Sequence, residues 1–364
     1  MLAGAAIAVA AGCGGSNDEA SPVPAPAAAA PAPAPVASSA AHLSGIKTYL
    51  LEHTGLLTGF TAAFQADAQR YYDLAAGVGF DYARLEAEHG AEASEILAAL
   101  KAAWVEGNPY YERMEGVVAG TPSLAEFDVI LDAGSSAEED PGSAVPFDLT
   151  TPSGTVLKQP GNLYSLTEGM LWGTLPQYVA QAGVDLDGDG TAAFGEVLPD
   201  ADALLAAAQA FDRYAGELAT AAEAWQPTES DAFTALVVMV PTMSEYFGQW
   251  ADSRFVRGDA SSSEAFNVVS RLSDIRDIIG SLDVVYAGVE PLVAGVDEAQ
   301  AEQTDAALDD LAAFIGDLQA QEQGGRAFTA EEASTLGAEA QERGTAIAGQ
   351  VAQVAARLGI EIAQ

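Results

Sequence analysis

The chain has 364 residues, of which 53 are acidic and 14 are basic, so its formal net charge at pH 7 is −39. Nucleic acids and anionic lipids are bound by clustered Lys and Arg side chains, so the excess of acidic residues argues against both as partners. It favours cationic partners such as metal ions or basic peptides. The alternative is that the negative charge only keeps the chain soluble. Hydrophobic residues make up 49% of the chain, many of them alanine, which suits long, closely packed helices, and the length allows one to three domains.

Residues 1–12 are apolar, small and uncharged, and Cys13, the only cysteine in the chain, follows them directly. The Ala-Gly-Cys junction resembles a bacterial lipoprotein signal over residues 1–13, in which Cys13 is lipidated. Two features depart from that pattern: neither Lys nor Arg precedes the apolar run, and Ala10 stands where leucine is commoner. We expect a periplasmic or surface lipoprotein of a bacterial cell envelope, attached to the membrane only through its lipid. The alternative is a plain secretory signal, or a leader with an incidental cysteine.

Residues 14–41 are rich in proline and alanine. Proline lacks an amide donor and fixes φ, so alternating Pro and Ala residues form an extended, semi-rigid chain. This composition predicts a tether that separates the lipid anchor from a folded body beginning at residue 42.

From residue 42 onward, apolar residues recur three and four positions apart, and alternating strand-like patterns are scarce. This periodicity predicts an all-α fold of two antiparallel four-helix bundles. Capping-box spacing, in which a hydroxyl and a Glu satisfy free amide groups, occurs at Ser123–Glu126 and Thr329–Glu332. Helix ends are predicted at Gly324, Gly325 and Gly359. The predicted helices span 43–76, 82–104, 108–119, 124–131, 163–182, 201–225, 230–255, 264–289, 297–319 and 330–358.

The segment 133–161 is rich in Gly, Ser, Pro and acidic residues, which predicts a long irregular loop, functional or disordered. An acidic loop follows at 185–196, and a domain boundary is expected just after it. The sequence thus predicts an N-terminal bundle over 42–197, which includes both loops, and a C-terminal bundle over 198–364.

The acidic loop matches D-x-D-x-D-G-x5-E, the spacing of an EF-hand calcium loop. Gly190 allows the sharp turn, and the expected oxygen ligands come from Asp185, Asp187, Asp189, Thr191 and Glu196. Ala192 stands where a β-branched residue usually pairs with a second such loop, and no second loop occurs in the sequence. We therefore expect a structural calcium site of modest affinity; the alternative is a solvated acidic turn.

Two other pairs of residues have the spacing that places side chains on one face of a helix. Glu112 and Glu115 are three residues apart, so both carboxylates can converge on one cation. Ser165 and Glu168 are also three apart in the predicted helix 163–182.

In their order along the chain, these motifs resemble the imelysin-like family, which includes periplasmic EfeO-type iron-uptake lipoproteins and the imelysin peptidase group. The resemblance covers nearly all of residues 42–364. It implies two four-helix bundles, an envelope location, a metal-linked role in iron acquisition and an inner-membrane transporter as partner. The matching segments are Tyr-Glu-x-x-Glu at 111–115, aromatic-x-x-x-Glu-x-x-Leu-Trp at 164–172, Glu-Tyr-Phe-x-x-Trp at 245–250, Ser-Arg-Leu-Ser-Asp-Ile at 270–275 and Ser-Leu-x-x-x-Tyr at 281–286.

The family's hallmark helix carries Gly-x-His-x-x-Glu, and this chain departs from it. Alignment on the Leu-Trp pair places Glu168 on the family Glu, Ser165 on the His and Leu163 on the Gly. Serine is a poor substitute for histidine, the commonest transition-metal ligand.

The resemblance implies a metal site made only of oxygen ligands, which suits hard cations such as Fe(III) or Ca(II) better than Zn(II). The alternative is a decayed site whose carboxylates are solvated or paired with Arg113. The expected ligands are Glu112, Glu115, Asp132 and Glu168.

Three functions remain open: cation binding for iron uptake, an imelysin-type metallopeptidase, and non-catalytic binding of a polymer or protein. Enzymatic activity is the less favoured hypothesis, because the sequence contains none of three common catalytic or phosphate-binding motifs: G-x-S-x-G, H-E-x-x-H and a glycine-rich phosphate loop. With Ser165 at the hallmark position, neither a nucleophile with its base nor a metal-activated water is indicated. The three histidines, His42, His53 and His89, are predicted to lie at the surface.

Overall fold

The computed structural model describes residues 39–363, which fall within one compact unit, Val36–Gln364. Helices dominate the described residues, and the strands there are limited to two short hairpins, so the predicted all-α helical-bundle fold is confirmed. The main helices are α1 (Ser39–Gly77), α2 (Tyr82–Val118), α3 (Ala125–Asp128), α4 (Leu163–Trp172), α5 (Ala201–Ala224), α6 (Glu229–Met239), α7 (Met243–Asp252), α8 (Arg254–Arg257), α9 (Arg271–Val296), α10 (Glu298–Gln323) and α11 (Ala330–Leu358).

One of the two predicted capping boxes is present in the structure. The capping box at Thr329 and Glu332 is present at the start of α11, and Gly359 ends that helix with φ of 71°. The box predicted at Ser123 is absent, because α3 begins one residue later, after Leu124, without a side-chain cap. A π-helical turn, Val129–Ala133, continues α3 instead of a regular helix to residue 131.

Several helix boundaries differ from the prediction for identifiable reasons. The predicted helices 82–104 and 108–119 are one helix, α2, which continues through Pro109 because it packs on α1 and α9 on both sides of that residue. Helix α4 ends at Trp172 rather than 182, since Gly173 adopts left-handed φ of 76°. The predicted helix 230–255 is divided at a 3-10 turn, Val240–Thr242, that contains Pro241.

Packing crosses the boundary predicted at residue 197. Helix α5 lies on the C-terminal side of that boundary in sequence, yet it packs mainly on α1. Helix α9 contacts α1 and α2 as well as α10, whereas α11 packs on α6, α7 and α10. The division into bundles at 42–197 and 198–364 stays a prediction, and α9 connects the helices of both.

The strands of the described residues form two antiparallel hairpins. Strands β1 (Leu149–Thr150) and β2 (Val156–Leu157) pair within the long loop, and β3 (Val179–Ala182) pairs with β4 (Val197–Pro199). The β3–β4 hairpin carries the acidic loop at its tip, so this loop joins two strands instead of two helices. Residues 264–270, predicted as the start of a helix, are irregular, and α9 begins after its cap, Ser270.

One described helix, α9, is long and apolar enough to cross a membrane by length and composition alone. It packs against α1, α2 and α10 inside the bundle, as the core helix of a folded domain does.

Candidate metal centre

Acidic side chains from three elements meet beneath the long loop. The carboxylates of Glu112 and Glu115 on α2 and of Asp132 on the π-helical turn lie with one oxygen each within 4.8 Å of one another. Asp274, on the first turn of α9, completes what we call the carboxylate cluster (Glu112, Glu115, Asp132 and Asp274), and none of the four is more than 4% exposed.

The local structure accounts for this convergence. Residues three apart on a helix share a face, which turns Glu112 and Glu115 together toward the protein interior. The π-helical turn Val129–Ala133 widens the backbone, and at its end the N–H of Gly134 donates a hydrogen bond to the carbonyl of Val129 at 3.0 Å. Such turns recur at functional sites because they redirect a side chain, and here Asp132 reaches the glutamates.

A buried guanidinium lies within the cluster. Arg271, the first residue of α9, is 2% exposed. Its Nη1 is 3.4 Å from Oε2 of Glu112 and 3.3 Å from Oδ2 of Asp274, and its Nη2 is 3.3 Å from Oδ2 of Asp132. The rings of Tyr246 and Phe266 lie 4.7 and 4.3 Å from its central carbon.

Neither Arg271 nor its partner Asp274 was assigned to the site from the sequence. Arg271 lies in the Ser-Arg-Leu-Ser-Asp-Ile segment, three residues before Asp274, and that spacing was the available signal. Arg113, the cation considered from the sequence, instead pairs with Asp277 at 3.4 Å and is 42% exposed. The positive charge next to the cluster is therefore Arg271.

Glu168 is not among the three carboxylates that approach within 4.8 Å of one another. Its Oε2 accepts the backbone N–H of Phe266 at 2.9 Å, and its Oε1 accepts that of Asn267 at 2.7 Å. Ser165 lies one turn earlier on α4, and its N–H donates to Oδ1 of the N-cap residue Asn162 at 2.8 Å. It lines the space beside Asp132. The structure brings Glu112, Glu115 and Asp132 together, whereas Glu168 binds the backbone of another segment.

Burial changes the acidity of these groups. Burial raises the pKa of Glu112 well above its ordinary value, with Asp274 adding to the shift. Burial likewise raises the pKa of Glu115 to about 7 and that of Asp274 to about 6, while the Arg271 charge acts in the opposite direction on both. The pKa of Glu168 is raised to about 7, again by burial, although its backbone hydrogen bonds oppose the shift.

A pocket of about 940 Å³ opens onto the cluster. Its lining includes Glu115, Asp132, Ser165, Tyr246 and Arg271. A second void of about 10 Å³, the size of a single water, is lined by Asp132, Ser165, Glu168, Phe266 and Asp274. Asp132, Ser165 and Phe266 line both spaces.

The donor set fits a hard cation. Oε1 of Glu115 accepts the Tyr246 hydroxyl at 2.7 Å, but its Oε2 is buried without a hydrogen-bond partner. An unpaired carboxylate oxygen in the interior is costly, and a bound cation or proton would satisfy it. Among the described residues no histidine joins this group; His53 was predicted at the surface but is buried on α1, where its Nδ1 lies 2.9 Å from the carbonyl of Tyr49.

The acidic loop brings its three aspartates close together at the protein surface. Carboxylate oxygens of Asp185, Asp187 and Asp189 lie within 4.8 Å of one another, and all three residues are exposed. Gly188 and Gly190 adopt φ of 79° and 92°, which only glycine takes without strain. Glu196 closes the loop by accepting N–H groups of Leu186, Asp187 and Ala193. Thr191 donates its N–H and its hydroxyl to Asp189.

Cys13 and most of the predicted tether lie outside the described residues. The tether was expected to extend to residue 41, but α1 already begins at Ser39. The lipidation of Cys13 therefore stays a prediction.

Comparison with known proteins assigns the family. No match was found among curated proteins. The family model described as imelysin, peptidase M75, matches residues 50–353, which include the whole carboxylate cluster and Arg271. The chain belongs to the imelysin family.

Proposed function

We propose that this imelysin-family protein binds a hard cation at Glu112, Glu115 and Asp132, and that it does so in the cell envelope for iron acquisition. The observation that carries the proposal is the buried, unpartnered Oε2 of Glu115, which lines the pocket next to two other carboxylates within 4.8 Å. Oxygen ligands favour Fe(III) or Ca(II) over softer metals, and family membership supports an iron-related role.

The proposed site would act through binding alone. The carboxylates would supply the negative charge that attracts the cation. Arg271 already pairs with Glu112 and Asp132, so its positive charge would lower the affinity of the site for the cation. An inner-membrane transporter is the partner that an uptake role requires. The two competing functions, a metallopeptidase and a non-catalytic binding protein, are distinguished by the experiment that follows.

Metal uptake should depend on Glu115 and respond to Ser165. We expect Glu115→Gln to lower Fe(III) affinity about tenfold or more, since removing one charged ligand costs at least ~1.4 kcal/mol. Ser165→His adds an imidazole beside Asp132 and should strengthen Zn(II) or Fe(II) binding. Equilibrium dialysis with Fe(III) nitrilotriacetate, Zn(II) and Ca(II) measures both effects.

The matched control is Glu95→Gln, which removes an exposed carboxylate from the same helix. Equal uptake by wild type, Glu115→Gln, Glu168→Gln and Ser165→His would mean that these residues do not form the site, and non-catalytic binding would then be the better reading. Peptide cleavage that a chelator abolishes would instead establish the metallopeptidase.

We also propose that the acidic loop binds calcium through Asp185, Asp187, Asp189, Thr191 and Glu196, with a structural role. Its carboxylates repel one another when no cation is present, so calcium should stabilise the folded protein. Mass action gives about 2.7 kcal/mol at a calcium concentration of about one hundred times the dissociation constant. Thermal unfolding in excess calcium and in chelator measures the effect. The variant Asp187→Asn should reduce the shift, and an unchanged melting temperature at millimolar calcium would rule the site out.

The lipid anchor is proposed from the Ala-Gly-Cys junction at Cys13 and the Pro/Ala-rich residues that follow it. Replacing Cys13 by Ala should move the protein from the membrane fraction to the soluble fraction, because a thioether-linked lipid cannot form without the thiol. Fractionation of cells that express the full chain measures this. If the variant still sediments with membranes, the anchor lies elsewhere.

A further inference from the structure

Residues 261–270 form an irregular segment, which we call the strap, between the 3-10 turn Gly258–Ala260 and the start of α9. Glu168 is 1% exposed, and both oxygens of its carboxylate accept backbone N–H groups of the strap. Hydrogen bonds to an ionised acceptor are stronger than neutral ones. The contact joins positions 98 and 99 residues apart in sequence.

The strap has a strained backbone at this contact. Phe266 adopts φ of 58°, in the left-handed region that disfavours residues other than glycine because their Cβ crowds the backbone. Such a conformation persists only where surrounding interactions over-determine it. Here the N–H groups of Phe266 and Asn267 converge on one carboxylate, an arrangement that typically binds an anion.

The strained residue covers the buried guanidinium. The Phe266 ring lies 4.3 Å from the central carbon of Arg271, which in turn pairs with three of the four members of the carboxylate cluster. The Asn267 side chain secures the strap further, since its Nδ2 donates to the carbonyls of Ser263 and Ala265. The position of the strap therefore determines whether the Phe266 ring covers the Arg271 guanidinium.

We infer that Glu168 is a positioning residue for the strap, and through Phe266 for Arg271, rather than a metal ligand. Its two oxygens are already engaged by backbone N–H groups, and it lies outside the group of three approaching carboxylates. The effect on cation binding rests on the proposed function, whereas the effect on the strap does not.

Hydrogen exchange measured by mass spectrometry on the full chain tests the inference. In Glu168→Gln, one carboxylate oxygen becomes an NH₂ group that cannot accept an N–H, so exchange of the amides at 266 and 267 should rise about tenfold or more. The matched control is Glu115→Gln, a buried glutamate whose hydrogen bond comes from the Tyr246 side chain; its strap amides should exchange as in wild type. Unchanged exchange in Glu168→Gln would overturn the inference.

Mn(II), a hard cation with a ligand-sensitive electron paramagnetic resonance spectrum, separates positioning from ligation. Mn(II) bound to Glu168→Gln should give the wild-type spectrum with weakened affinity, whereas Glu115→Gln should change the spectrum or abolish binding. A changed spectrum in Glu168→Gln would make Glu168 a ligand and overturn the inference. If the wild type binds no Mn(II), the proposed cation site fails while the exchange result still decides the role of Glu168 in the strap.

A double-mutant cycle guards against general loss of folding. Phe266→Gly removes the backbone strain, because glycine adopts positive φ freely. If Glu168 holds Phe266 in its strained conformation, the stability losses of Glu168→Gln and Phe266→Gly will sum to more than the loss of the double variant. Strict additivity would contradict the inference.

Discussion

Replacing Arg271 by Met is expected to lower the free energy of unfolding by about 3–5 kcal/mol at pH 8, the typical cost of removing one partner from a buried ion pair. Arg271 is 2% exposed and contacts Glu112, Asp132 and Asp274. The methionine side chain is about as long as that of arginine and fills most of the same space. The decrease in the free energy of unfolding therefore comes mainly from the uncompensated carboxylates and only to a small extent from a cavity. Urea unfolding, with equal m-values for both proteins, measures the difference.

The control for this substitution is Arg276→Met, five residues further along α9. Arg276 is 47% exposed and lies 3.5 Å from Asp277, so its removal should cost only about 0–1 kcal/mol. A hard cation added in excess should restore more stability to Arg271→Met than to wild type, because the variant has lost its internal counter-charge. Equal losses for the two arginine variants, or no rescue by the cation, would show that Arg271 does not compensate the cluster.

The helices, one start signal and one stop signal were predictable because they are local. Apolar spacing, the Thr329 capping box and Gly359 act within a few residues, and the structure has all three. The errors in the helices arise where tertiary packing outweighs a local signal, as at Pro109, or where one glycine ends a helix, as at Gly173.

The candidate site was predictable only in part. The spacing of Glu112 and Glu115 is a helix property, and the family resemblance supplied Asp132. The contact between Arg271 and Glu112 spans 159 residues, and that between Glu168 and Phe266 spans 98. No local pattern encodes such contacts, so the sequence pointed to Arg113 rather than Arg271 as the nearby cation and gave no sign that Glu168 accepts backbone N–H groups of residues 266 and 267.

The cation-free protein should lose stability as pH rises from about 4.5 to about 7. In the unfolded chain Glu115 and Glu168 titrate near their ordinary values, whereas burial raises the pKa of each to about 7 in the folded protein. The pKa of Asp274 is likewise raised to about 6. Between the two values the folded state binds more protons than the unfolded state, so stability falls with increasing pH across this range, and the raised pKa of Glu112 adds to the fall.

Unfolding midpoints in urea from pH 4.5 to 8.5, in chelator, measure this slope. General repulsion among the surface carboxylates acts in the same direction, but added salt screens it, and salt screens buried groups much less. Glu115→Gln should flatten the curve, because a neutral amide no longer titrates, whereas the exposed Glu95→Gln should leave it unchanged. If a hard cation binds the cluster, it stabilises the ionised form and should raise the midpoint most at pH 8.5, where protons no longer compete. A flat profile in chelator would show that these carboxylates are ionised in the folded protein without a cation, and the physical case for a cation site would then be lost.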